Sequence, residues 1–98
     1  MDRKNHEKVD LFFWDKKYSE VHQWLDATFP KYAGRNPYRH WLERHHIKAI
    51  KEKFGEFYLE YNVAYLHILA DYLSHHQIAF VPVDEKEAEA MLKSLGVL

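Results

Sequence analysis

Apolar residues recur at three- and four-residue intervals at Leu11, Trp14, Tyr18, Val21, Leu25 and Phe29. That spacing lays a stripe along one side of a helix, so a first helix is expected over 9–29, stopped by Pro30. Ala33-Gly34-Arg35-Asn36 reads as a loop. Asn36 before Pro37 has the form of an N-cap followed by proline at the first helical position. A second helix is therefore expected to about Phe54, with Gly55 as its C-terminal cap, and with Leu42, His46, Ala49 and Ile50 inward. Asn62 can cap a third helix from Val63 to about His75, burying Val63, Leu66, Ala70 and Leu73. Asp84 with Glu87 resembles a capping box for a last helix ending near Leu95-Gly96.

Two segments break the helical period. Phe57, Leu59 and Tyr61 alternate with largely polar neighbours, and Ile78 to Val83 is an apolar, β-rich run. Residues 56–61 and 78–83 could therefore pair as strands. The expected fold is mainly α: a compact helical bundle of three to four helices with a minor two-stranded β element. Polar residues 1–8 read as a flexible N-terminus, leaving 9–98 as a single helical domain.

Composition narrows the chemistry. A hydrophobic fraction of 47% and an aromatic fraction of 16% belong to a folded chain rather than a disordered one. Formal net charge is −1, from 14 basic and 15 acidic residues, so no global bias recruits nucleic acid or membrane. The eight histidines would turn the chain positive on acidification. With no cysteine, disulfides, thiolate zinc sites and cysteine nucleophiles are excluded. A bound metal would take nitrogen and oxygen ligands, which suits zinc, iron, manganese, nickel or copper. No apolar run approaches the roughly 18 residues of a membrane span. Met1 to Asp10 lacks the apolar stretch of a signal peptide. A cytoplasmic or intracellular viral location, away from membrane, is expected.

His-x-x-x-Asp occurs at His22/Asp26 and His67/Asp71, and between the two copies lie Arg39-His40 and the doublet His45-His46. Residues four apart share one side of a helix, and an imidazole with a carboxylate there can supply two ligands, or a ligand and its orienter. Both pairs fall on the flanks of their helical stripes, and His46 falls inside the stripe of the second helix. A bundle could converge His22, Asp26, His46, His67 and Asp71 on one ion. His40 and His45 are further candidates, but at about 140° apart on a regular helix they cannot both face that way.

Each feature alone has a plainer reading. An i,i+4 His/Asp pair is commonly a helix-surface hydrogen bond, and an imidazole on an apolar face is ordinarily bonded to a carbonyl. Together they point to a metal, with zinc, iron or manganese as the expected ions. His75 and His76 fall at a helix end, where the dipole stabilises them, and His6 lies in the polar start.

The function expected is metal binding, with hydrolysis of a phosphate ester as the natural chemistry. A metal would activate water, a spare Asp or His would act as base, and Arg39 or Arg44 would neutralise developing charge. The alternative is a non-catalytic interaction or nucleic-acid-binding module with structural histidines. Lys31, Arg35, Arg39, Arg44, Lys48, Lys51 and Lys53 interleave with Tyr32, Tyr38 and Trp41, as on surfaces that track phosphates and stack bases. The same residues also read as a solvated face balanced by Glu43 and Glu52, or as a field steering a small phosphorylated substrate. Phe12, Phe13, Trp14 and Trp24 exceed what one stripe can bury, so a homodimer is a further expectation. There is no Gly-rich phosphate loop and no Gly-x-Ser-x-Gly elbow. The adjacent His-Asp dipeptide of the HD phosphohydrolases is also missing.

His22-x-Trp24-x-Asp26, Arg39-His40, His45-His46, Phe54-Gly55 and His67-x-x-x-Asp71, followed by Val81-Pro82, together resemble a small uncharacterised family. That family is a domain of unknown function from bacteria, archaea and their viruses. The resemblance spans 22–82. Ala49 stands where the family pattern has glycine, and the stretch from His46 to Phe54 is shorter. The resemblance implies a shared site rather than any particular activity.

Overall fold

A computed structural model describes residues 2–98. Helix α1 runs Arg3–Trp14, capped by the Asp2 carboxylate, which accepts from the Asn5 amide at 2.9 Å. Asp15 ends it in the left-handed region at φ 55°, its amide bonded to the Leu11 carbonyl. Helix α2, Ser19–Asp26, follows after a short link. The apolar stripe of 9–29 continues across that break, so periodicity alone could not reveal two helices. Residues 3–8, expected as a flexible end, are helical, and His6 is buried.

Single 3-10 turns at Phe29–Tyr32 and Pro37–His40 lead into α3, Trp41–Arg44. The Asn36 side chain caps the second of these turns, accepting from the Tyr38 amide at 3.1 Å. The expected second helix is thus divided. His45 and His46 leave helical geometry, His46 at φ −153° and ψ 162°, before α4, Ile47–Phe54. Gly55 terminates α4 at φ 79°, where a β-carbon would also stand 3.0 Å from the Tyr58 ring. Helix α5, Leu59–His76, is the longest and packs against α1, α2 and α4. Helix α6, Glu85–Ser94, begins with the Asp84 carboxylate accepting from the Glu87 amide at 2.9 Å.

No strand occurs among the described residues, which corrects the expected β element. Leu59 to Tyr61 forms the first turn of α5. The 78–83 run is a non-helical link with bends at Phe80 and Val83, and its last carbonyls serve α4. Pro82 and Val83 accept from the Ile47 and Lys48 amides, each at 2.9 Å. These are donors that a helix start leaves without an internal partner, so a helix end takes the role expected of a partner strand.

The apolar core joins Leu25 of α2, Ile50 of α4, Val63, Ala64, Ile68 and Tyr72 of α5, and Ala88 and Leu92 of α6. Two adjacent rows of α5 are buried. The row Ala64, Ile68, Tyr72 is largely apolar, whereas Val63, His67 and Asp71 carry the row toward polar chemistry. Of the aromatic residues expected at a dimer interface, Trp14 and Trp24 pack against this core, while Phe12 and Phe13 remain exposed.

Candidate metal centre

Helix α5 supplies His67 and Asp71 one turn apart, both buried. Asp26 ends α2 and faces them, with its Oδ1 3.4 Å from His67 Nε2. Asp71 Oδ2 lies 3.3 Å from the same nitrogen. The bend after α3 turns His45 inward, placing Nε2 3.2 Å from Asp71 Oδ2 and 3.9 Å from Asp26 Oδ1. Asp26, His45 and His67 each offer one donor atom within 4.8 Å of the other two, and Asp71 Oδ2 stands within 3.3 Å of both histidines. Donors held about 2.1 Å from one ion in a tetrahedron stand about 3.4 Å apart. Three of the measured separations, at 3.2, 3.3 and 3.4 Å, lie close to that edge length, and His45 to Asp26 at 3.9 Å is longer.

A hydrogen-bonded relay behind His67 fixes which of its nitrogens faces the carboxylates. Asp10 Oδ2 accepts from the Tyr18 amide at 3.0 Å and from His22 Nε2 at 2.6 Å. Burial lowers the pKa of His22 despite Asp10, favouring its neutral form. With its hydrogen on Nε2, neutral His22 presents a bare Nδ1, which must accept from His67 Nδ1 at 2.9 Å. The remaining nitrogen of neutral His67, Nε2, then directs its lone pair at Asp26 and Asp71. It is buried and makes no well-directed hydrogen bond. A lone pair facing two carboxylates is repulsive unless a cation intervenes, either a proton on His67 or a metal ion.

The electrostatics agree. Burial opposes charge on His67, but Asp26 and Asp71 outweigh it and raise its pKa. Burial would raise Asp71, yet His45, His6 and His67 hold it far below the usual carboxylate range. Burial would likewise raise Asp26, but bonding and charge from His67 lower it. Burial takes His45 down to about 4, so it is neutral near pH 7. Two carboxylates and one imidazolium give the four groups a net charge of −1, and exchanging the proton for a divalent ion makes them neutral. Two imidazoles and two carboxylates form a donor set suited to zinc, iron or manganese.

A second cluster, His6, His22 and His67, is built differently. The His6 and His67 rings stack at 3.6 Å and 13°, and His22 and His67 at 5.1 Å and 23°. Ring nitrogen lone pairs lie in the ring plane, so stacked rings do not converge on one ion. This cluster supports the first, with His6 Nε2 3.0 Å from Asp71 Oδ1.

Among the residues expected from sequence, Asp26, His45, His67 and Asp71 converge, and His22 stands one step behind them. His40 lies at the edge. Its Nδ1 bonds the Pro37 carbonyl, leaving Nε2 4.0 Å from Asp26 Oδ1. His46 does not join them. Its Nδ1 accepts from the Ala49 amide at 3.2 Å and caps α4. His6 and Asp10, which sequence reasoning missed, form a third His-x-x-x-Asp that straddles the boundary between the segment read as flexible and the expected first helix.

The arginines expected to neutralise charge are elsewhere. Arg44 donates to the Trp24 carbonyl at 2.8 Å with its guanidinium over that indole, and Arg39 is exposed. Lys31 and Lys51 pair with Glu43 and Glu56. A cleft of about 710 Å³ reaches Asp26, Asp71 and His40 between Phe29, Tyr38 and Trp41, with Arg3 on its lining. No helix among the described residues is long and apolar enough to cross a membrane. Comparison with known proteins finds no matching family model, no matching curated protein and no matching solved structure.

Proposed function

We propose that this protein binds one divalent transition-metal ion through His45, His67, Asp26 and Asp71, and uses it to hydrolyse a phosphate ester. The observation that carries the metal clause is the position of His67 Nε2, which the Asp10–His22 relay turns toward the carboxylates of buried Asp71 and half-buried Asp26. Second-sphere bonding of this kind orients metal-binding imidazoles and raises their basicity.

The hydrolytic clause rests on the cleft that opens on Asp26 and Asp71. An ion held there with a further coordination position open to water would lower the pKa of that water toward neutrality. His40, anchored through Nδ1 to the Pro37 carbonyl, offers Nε2 as the base. His40 would take the water's proton as the water oxygen bonded to phosphorus and the ester P–O bond broke. The leaving oxygen takes a proton from solvent, giving an alcohol and inorganic phosphate with no redox partner.

Elemental analysis of untagged protein tests the metal clause. One ion per chain is expected, and His67→Ala and Asp71→Ala should lose it. Protein that purifies without metal, and gains no thermal stability from zinc, manganese or iron, would overturn the proposal. Release of phosphate from phenyl phosphate by the loaded protein, reduced at least a hundredfold in His40→Ala, tests the hydrolytic clause.

A further inference from the structure

The cleft beside the metal centre differs from the centre itself. Its lining combines acidic and imidazole groups, Asp2, Asp26, Asp71, His40 and His75, with the rings of Phe29, Tyr38 and Trp41. A volume of about 710 Å³ is within the range of sites that enclose a small organic molecule rather than phosphate alone. Bare phosphate gains nothing from aromatic walls, and a flexible aliphatic ester gains little.

The rings are fixed by their neighbours. Phe29 meets His40 edge-on at 5.3 Å and 88°, and Tyr38 meets Trp41 at 5.2 Å and 86°. Phe29 is nonetheless 44% exposed, so part of a large apolar ring stands open at the cleft. Pre-set aromatic surfaces favour a planar partner, which adds ring contact to the area it buries.

Charge at the rim sets the other end of the ligand. Arg3, in the first turn of α1, lines the cleft and forms no ion pair among the described residues. An ion on Asp26 and Asp71 would add a second positive centre. A guanidinium and a metal ion together suit a phosphoryl dianion.

Resting on the metal-dependent reading above, we infer that the cleft takes a phosphate monoester whose alcohol part carries a planar aromatic ring. The phosphoryl group lies toward the metal and Arg3, and the ring lies against Phe29 and Tyr38.

Calorimetry on zinc-loaded protein tests this without turnover, using phenylphosphonate, methylphosphonate and phenol as probes. Phenylphosphonate should bind at least tenfold more tightly than either of the others. Phe29→Leu and Tyr38→Leu should each shrink its advantage over methylphosphonate to threefold or less. Arg3→Ala should weaken both phosphonates by a similar factor. A retained ion in each variant reports an intact centre, and two aromatic variants guard against one that fails to fold. Equal binding of the two phosphonates, or no binding of either at millimolar concentration, overturns the inference while a stoichiometric ion leaves the metal clause standing. Phenol binding as tightly as phenylphosphonate removes the role of Arg3 and the ion. Failure to load zinc at all overturns the metal clause and this inference together.

Discussion

The two sides of α5 are buried by opposite means. Toward α4 it presents Ala64, Ile68 and Tyr72 to an apolar core, where burial is favourable whatever the detailed orientation. Toward α1 and α2 it presents His67 and Asp71 to His6, His22 and Asp26, with Asp10 behind His22, where each group needs a directed partner and a balanced charge. Helix α1 makes the contrast sharpest. The residues it buries are His6 and Asp10, while Leu11, Phe12 and Phe13 face outward. Its polar side is inside, so its attachment is chemical as much as hydrophobic. One side of α5 should be insensitive to conditions and the other should respond to protons and metal.

The largest expected effect lies on the apolar side. Ile68 is fully buried, and Ile68→Ala should cost about 4 kcal/mol from lost burial and the cavity left behind. Urea unfolding should give the same loss at every pH and with or without metal. A loss that tracks either variable would break the distinction between the two sides.

The polar side should show its own signature in metal-stripped protein. His45 falls from an ordinary value of 6.5 to about 4 in the fold. Its unfolded form therefore takes up a proton first, so stability is full above 6.5 and declines as pH falls toward 4. That difference is worth about 3 kcal/mol. His22 is also lowered by burial and acts in the same direction. His67 is raised, so its contribution is complete below 6.5 and fades as pH climbs through its folded value. Asp26 and Asp71 are lowered and lose their contribution only in stronger acid. The curve should peak near neutrality, and Ile68→Ala should shift it down without changing its shape. A flat profile between pH 7 and 4 would contradict the polar assignment.

Metal should act on the same side alone. Zinc at a hundredfold excess over its dissociation constant should add about 2.7 kcal/mol, read as a rise in Tm. Ile68→Ala should keep that increment and Asp71→Ala should lose it. Because the ligands must shed their protons, the increment should shrink as pH falls.

Sequence patterning exposed the apolar side better than the polar one. The stripes containing Leu25, Ile50 and Val63 belong to helices whose buried faces can be read from spacing. The breaks could not be read that way. Asp15 adopts φ 55° and the stripe simply resumes in α2. Ile78 to Val83 looked like a strand because apolar, β-branched content is shared by strands and by the non-helical link that satisfies α4. In the site, the His-x-x-x-Asp spacing located Asp26, His67 and Asp71 because one helical turn fixes that relation. The same spacing at His6 and Asp10 was passed over because it straddles the start of the apolar stripe, and the polar residues before Val9 carry no period that marks a helix. Here the buried face is itself polar, so hydrophobic periodicity carries no signal.

The smallest expected effect separates two adjacent histidines. A regular helix would have made His46 the inward residue, since it shares a stripe with Leu42 and Ile50. The bend reverses this, sending His45 Nε2 to the carboxylates and His46 Nδ1 to the Ala49 amide. His46→Ala should therefore cost about 1 kcal/mol, the usual worth of an N-cap, while keeping one metal ion per chain. His46→Asn should recover most of that loss, because asparagine is a good capping residue. His45→Ala should do the reverse, leaving α4 capped and stripping the metal. Measured together by unfolding and elemental analysis, the pair places the boundary between scaffold and site within one peptide bond. Metal loss in His46→Ala with retention in His45→Ala would return the ligand to the position that helical periodicity favoured.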